Sequence, residues 1–222
     1  MQYLYQAEAS ASTLTLKGDE HRYIFKVRRH RQGECIYLRN LKDNILYRYE
    51  ITHIDKRSLS LLLKDSQILE VKASDNLHIA WCVIDPKSIE KVLPTLNEMG
   101  VDKISFIYCK RSQKSFKLDF ERLHKILLNS SQQSGRSEMM VLESIENLED
   151  FLTQNPEAKM LNFSQEYLTK NQDIKTIVIG CEGGFSPEEV ALFDSKDLRG
   201  LRTPLVLKSE SAVCAVASIL LL

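Results

Sequence analysis

The segment with the clearest chemical content is TIVIGCEGGFSPEEV, residues 176–190. A β-branched run passes into a glycine-rich turn and then into Ser186-Pro187-Glu188-Glu189. Ser186 is a good N-cap, Pro187 suits the first helical position and Glu189 stands where a capping box needs it, so the spacing predicts strand, tight loop and helix start. Open α/β sheets bind ligands at such a place. Phosphate-cradling loops use glycine N–H groups and often a lysine in G-x-G-x-x-G or G-K-[ST] spacing, whereas this loop has neither spacing and carries Glu182 in its middle. A carboxylate there repels a pyrophosphate. It suits a ligand with positive charge, and S-adenosylmethionine has a sulfonium and an ammonium and no phosphate. The other reading of the same loop has Gly183 and Gly184 supplying positive φ for a tight turn while Glu182 faces water.

Two further segments could serve such a site. In SSQQSGRSE, residues 130–138, a helix ends at Gly135 with Arg136 just beyond. Arg136 either satisfies the last helical carbonyls or projects into a site, where it orients a base or stabilises its charge. In PLVLKSESAVCAVASILLL, residues 204–222, an apolar strand is expected over 204–207, then a polar break at Lys208-Ser209-Glu210-Ser211, then an apolar helix with Ala212, Ala215 and Ala217. Small residues allow close approach to another backbone, in a dimer interface or a tightly threaded core.

Charge suggests a polyanionic partner. The chain of 222 residues carries 30 Lys+Arg against 30 Asp+Glu, yet residues 1–75 hold 13 and 10 of these and the remainder 17 and 20. Arg22, Lys26, Arg28, Arg29 and Arg31 fall in the acid-free run HRYIFKVRRHR, residues 21–31, and Lys103, Lys110, Arg111, Lys114 and Lys117 form a second cluster. Tyr23, Phe25 and Val27 interleave with the first run and give it one apolar side for docking and one cationic side for phosphates. A solvated helix face is the bland alternative.

Elements must position these groups. Up to about residue 72 the signals are β: 13–16, 35–39, 45–54 and 58–64, with Ile45, Tyr47, Tyr49 and Ile51 alternating against Leu46, Arg48, Glu50 and Thr52. A small β-barrel with one basic helix is expected. From about residue 75 strands and helices alternate: strand 77–84, helix 88–99, strand 103–108, helix 119–133, strands 159–163 and 176–180, a helix from Pro187 and a terminal helix. Ile89, Val92, Leu93 and Leu96 make one apolar stripe. This alternation predicts an α/β domain with a largely parallel sheet. Five cysteines, widely spaced and without C-x-x-C, read as reduced thiols with no disulfide framework or zinc site. No signal peptide or membrane-length run is present, so a cytoplasmic protein without a membrane partner or metal is expected.

The order of these segments resembles the RsmE family of the SPOUT methyltransferases over essentially the whole chain. Val27-Arg28-Arg29 and Gly33 after His21 are similar to its H-x-x-x-V-L-R-x-x-x-G-D run, 98-EMGVDKI-104 to E-L-G-V, 132-QQSGR-136 to E-Q-[SC]-G-R, 180-GCEGGFS-186 to G-P-E-G-G-x-S and 207-LKSESA-212 to L-R-x-E-T-A. The resemblance implies a PUA-like RNA-binding β-barrel over residues 1–72, then a SPOUT α/β domain with a C-terminal trefoil knot over 73–222. It implies S-adenosylmethionine-dependent methylation of uridine N3 in 16S rRNA of the small ribosomal subunit, by a homodimer formed through the C-terminal domain. Its cofactor loops would comprise Leu161, Asn162 and Phe163; Gly180, Cys181, Glu182, Gly183 and Gly184; and Leu205, Val206 and Leu207, with Ser211 and Ala212. Arg136, Lys208 and Glu210 become the catalytic candidates, Arg136 and Lys208 for charge stabilisation and Glu182 or Glu210 as organiser or base. Arg22, Lys26, Arg28, Arg29, Arg31, Lys110, Arg111 and Lys114 become RNA contacts. Cys181 replaces the family's Pro, Gln132 its Glu, Lys208 its Arg and Ser211 its Thr. Two alternatives stay open: a SPOUT enzyme acting on another RNA, and a non-catalytic rRNA-binding assembly factor.

Overall fold

The computed structural model describes residues 2–222, which form two compact units, one reaching to Lys72 and including Ser131–Met139, the other comprising Ala73–Ser130 and Met140–Leu222. The first holds β1 (Leu4–Tyr5), β2 (Thr13–Lys17), α1 (Gly18–Arg22), β3 (Cys35–Arg39), β4 (Ile45–Ile54) and β5 (Ser58–Ile68). Its five-stranded sheet has the order β1-β3-β4-β5-β2, antiparallel except for β1 beside β3. Along β4 the expected alternation holds, with Tyr47, Tyr49 and Ile51 buried, and the register shifts after Arg48 and Ile51, where bulges bend the long β4–β5 hairpin. The inner face joins Leu14, Leu16, Ile24, Ile36, Leu38, Leu59 and Leu61 in one core.

The basic run departs from expectation. After α1 it continues as a π-helical turn, Tyr23–Val27, so Tyr23, Phe25 and Val27 share no face. Helical geometry instead sends Ile24 inward with His21, three positions before it, while Phe25 and Val27 are exposed.

The second unit holds β6 (His78–Cys82), α2 (Pro86–Met99), β7 (Lys103–Ile107), α3 (Phe120–Ser134, whose last turn groups with the first unit), β8 (Val141–Ile145), α4 (Leu148–Gln154), β9 (Lys159–Leu161), β10 (Thr176–Ile179), α5 (Pro187–Val190), β11 (Leu198–Arg199) and α6 (Ser209–Leu221). Its six strands run parallel in the order β11-β9-β10-β6-β7-β8. Ile79, Trp81, Ile104, Phe106, Ile177 and Ile179 are sealed inside, as expected of a parallel sheet covered on both faces. On α2, Ile89, Leu93 and Leu96 are the buried stripe.

Two expectations are corrected here. Residues 204–207 are not a strand: they are irregular and exposed, because β11 already occupies the edge beside β9 and leaves them no ladder partner. Nor are all five cysteines free, since Cys82 and Cys109 are disulfide-bonded with Cα atoms 5.8 Å apart. Sequence spacing does not reveal this pair, because parallel register, Cys82 opposite Ile107, is what brings the two strand ends together. Among the described residues no helix is long and apolar enough to cross a membrane.

Candidate functional site

Chain order reverses at β6, with β7 and β8 on one side and β10, β9 and β11 on the other. Loops leaving the carboxyl ends of β9, β10 and β11 enclose a cavity of about 490 Å³, within the usual range for small-molecule sites. Its wall contains Leu161, Asn162 and Phe163 from the first loop; Gly180, Cys181, Glu182, Gly183 and Gly184 from the second; and Leu205, Val206 and Leu207 with Ala212 from the third. Glu182 is the one charged side chain in the lining.

Local bonds fix the loops. Asn162 N–H donates to Arg199 C=O and Gly200 N–H to Glu166 C=O, both at 2.8 Å, so the first and third loops lie together. A Cβ on Gly200 would stand 2.1 Å from the Ser164 oxygen. In the second loop Gly184 adopts φ +65° and its N–H closes a turn on Cys181 C=O at 2.9 Å. Gly183 has no positive φ. A Cβ there would meet the Arg111 side chain at 3.3 Å. The expected capping box is present: Ser186 Oγ accepts from Glu189 N–H at 3.2 Å, and Glu189 Oε2 accepts from Ser186 N–H at 2.8 Å. The other carboxylate oxygen of the buried Glu189 accepts from Lys110 N–H at 2.7 Å.

Sequence reasoning missed Ser209, which it read as part of a polar break. Ser209 Oγ–H donates to Gly180 C=O at 2.5 Å and the same oxygen accepts from Trp81 Nε1–H at 2.8 Å. It therefore ties the start of α6 to the second loop and to the buried centre of β6. Tyr167, Phe185 and Thr203 also line the cavity without a sequence signal of their own.

Helix geometry explains which expected residues stand aside. Because α6 starts at Ser209, Ser209 and Ala212, three apart, turn toward the cavity, whereas Lys208, Glu210 and Ser211 flank its wall without lining it. Lys208 and Ser211 are exposed and Glu210 half-buried. Arg136 belongs to the first unit and is 4% exposed, its Nη2 3.6 Å from Glu138 Oε1. Its carbonyl accepts from Tyr3 O–H at 2.8 Å; burial pushes the Tyr3 phenol up to about 12, against the pull of Arg39 and Arg136. Gly135 takes φ +88° with its N–H on Ser131 C=O, the helix-end geometry. The basic residues Arg22, Lys26, Arg28, Arg29, Arg31, Lys110, Arg111 and Lys114 are all exposed.

The match to known families gives the class, an RNA methyltransferase. The family model described as an RNA methyltransferase domain matches residues 71–221, and one described as an RNA methyltransferase PUA domain matches residues 16–64. Ribosomal RNA small subunit methyltransferase E of Helicobacter pylori is 40% identical over 223 residues, covering 99% of each chain, and its namesake from Aquifex aeolicus is 26% identical over 230 residues, covering 100% of this chain and 99% of the other. The chain belongs to the ribosomal RNA small subunit methyltransferase E family. The fold agrees: a methyltransferase from Legionella pneumophila with bound SAM is 24% identical at TM-score 0.78, covering 98% and 95% of the two chains. Ribosomal RNA small subunit methyltransferase E from Neisseria gonorrhoeae, bound to S-adenosyl methionine, is 17% identical at TM-score 0.79 with the same coverage.

Proposed function

We propose that this protein transfers a methyl group from S-adenosylmethionine to N3 of a uridine in 16S rRNA of the small ribosomal subunit. The observation that carries the cofactor assignment is the cavity wall, glycine-rich and apolar with Glu182 as its one charge. Such a wall tolerates a sulfonium and an ammonium, offers backbone groups to an adenine edge and holds no cation for a pyrophosphate. The bound cofactor supplies an electrophilic methyl group. The chain's own residues must hold the uridine in line with it, take or share the N3 proton and stabilise negative charge on the base carbonyls. In this reading Lys208 and Glu210, which adjoin Leu207 and Ser209 of the wall, serve charge stabilisation and proton transfer, and Glu182 is the second carboxylate available. Arg136 enters this scheme as a further charge-stabilising group on the strength of its QQSGR motif.

Arg22, Lys26, Arg28, Arg29 and Arg31, with Lys110, Arg111 and Lys114, bind RNA phosphates in this reading and supply salt-sensitive affinity. The first sheet closes as a PUA-like barrel over residues 1–72, and the segment leading into α6 threads a trefoil knot over 73–222, a reading supported by the bonds of Ser209 to Gly180 and Trp81. A homodimer forms through the second unit; Phe163, Leu205 and Val206, 84%, 71% and 78% exposed, are apolar surface that a second copy would cover. Light scattering on the purified protein should give twice the 25.6 kDa chain mass. The function is tested by methyl transfer from labelled S-adenosylmethionine to unmodified small ribosomal subunits with nucleoside mass spectrometry. N3-methyluridine is the expected product, and transfer to tRNA or large subunits alone would move the substrate assignment.

A further inference from the structure

The loop after β7 makes a contact that phosphate binding does not explain. Ser112 Oγ accepts from Cys109 N–H at 3.2 Å and Ser112 N–H donates to Cys109 C=O at 3.0 Å, a tight turn. Lys110 N–H is held by the buried Glu189 carboxylate at 2.7 Å, so the backbone on both sides of Arg111 is fixed. From that base the Arg111 side chain crosses the second cavity loop. Its Nη1–H donates to Gly183 C=O at 2.7 Å, and its stem lies so close that a Cβ on Gly183 would meet Arg111 Cβ at 3.3 Å and Cδ at 3.4 Å. Since the backbone of Gly183 is not in the left-handed region, the absence of a side chain at this position is accounted for by the arginine lying over it.

We propose that Arg111 is a positioning residue for the cofactor loop: it latches Gly183 and so holds residues 180–185 in the conformation that receives S-adenosylmethionine. This rests on the cofactor assignment above and assigns Arg111 a role beyond RNA binding. A charge-assisted bond onto a loop otherwise held by the Gly184-to-Cys181 turn bond, a weak Cys181 Sγ contact to Gly184 C=O and the Ser209 bond at Gly180 narrows its ensemble before the ligand arrives, which raises affinity by preorganisation. A lysine at the same position reaches the carbonyl but lacks the planar guanidinium, so it restores the latch in part.

The test uses the full-length protein without RNA, which removes any phosphate contribution. Calorimetric titration with S-adenosylmethionine should show about tenfold weaker binding for Arg111→Met, an intermediate value for Arg111→Lys, and wild-type binding for Lys125→Met, which removes one exposed charge elsewhere on the same unit. In turnover, Arg111→Met should raise KM for the cofactor while kcat at saturation stays within about threefold. Gly183→Ala should weaken binding by displacing the arginine, and the Arg111→Met, Gly183→Ala double variant should bind no worse than the weaker single one. Unchanged affinity in Arg111→Met, or full additivity in the double variant, overturns the latch. Hydrogen exchange reads it independently of ligand: amides of 182–186 should exchange faster in Arg111→Met, and equal exchange overturns it. Wild-type protein that binds no cofactor would refute the cofactor assignment while the exchange comparison still decides the latch.

Discussion

Replacing Glu189 by Gln changes one atom and should nonetheless disable the junction that supports the second cavity loop. The carboxylate is 2% exposed and each of its oxygens accepts one backbone N–H, from Lys110 at 2.7 Å and from Ser186 at 2.8 Å. An amide offers one acceptor, so whichever way Gln turns, its NH₂ group faces a buried N–H donor. The loss is one charge-assisted bond, about 1.5–3 kcal/mol, together with the conversion of the second from charged to neutral acceptor, about 1 kcal/mol, so the variant should lose about 3 kcal/mol. Glu189→Ala loses both bonds and the capping box, but admits water to the space, and should cost about 4 kcal/mol. Trp81, the one tryptophan of the chain, is fully buried in the second unit, and its fluorescence during urea unfolding follows that unit alone. A conservative change that costs nearly as much as truncation is the signature of two donors sharing one carboxylate. If Glu189→Gln unfolds within 1 kcal/mol of wild type by this assay, the paired-donor reasoning is wrong.

Ser209→Ala leaves the buried Trp81 indole N–H unpaired and frees the half-buried Gly180 carbonyl, and should cost about 2–3 kcal/mol in the same assay, with cofactor affinity falling alongside. His78 is held down to about 4 by burial and secondarily by Lys103, below the unfolded value of 6.5, so the folded state refuses a proton that the unfolded chain accepts. Stability should therefore be full above pH 6.5 and decline as pH falls toward 4, and His78→Gln should flatten that part of the urea midpoint profile; an unchanged slope in the variant would assign the dependence elsewhere. Neutralising Arg22, Lys26, Arg28, Arg29 and Arg31 together should reduce the slope of log affinity against log salt for ribosomal subunits by about 3.5 to 4.5, and an unchanged slope would remove this run from the RNA interface.

Period and punctuation made much of the fold legible. Tyr47, Tyr49 and Ile51 alternate because β4 buries one face, and Ser186, Pro187 and Glu189 mark the start of α5 because the orphan N–H groups of a helix end demand those residue types. Where pairing rather than local preference decides, the sequence misleads. Residues 204–207 have strand composition and lack a free ladder, while Leu198–Arg199 is only two residues long and pairs because β9 presents an open edge. The basic run is helical as expected, but Tyr23, Phe25 and Val27 do not form its apolar side, because a period near four puts Ile24 inside instead.

The site divides along the same line. Glycine spacing and a lone carboxylate identified the second cavity loop because backbone conformation and charge are properties of single residues. Its supports were not legible, because each is a pairing of distant segments: Glu189 with Lys110, Ser209 with Gly180 and Trp81, Arg111 with Gly183. These three junctions reach the same loop from three directions, the α5 start, the α6 start and the turn after β7, so the loop's conformation depends on the rest of the second unit being folded. Lys110 and Arg111 looked in sequence like members of one basic patch. In the structure the backbone of the first is pinned to a buried carboxylate and the side chain of the second to a carbonyl of the cavity loop, so charge at this turn and order in the cavity loop are physically linked.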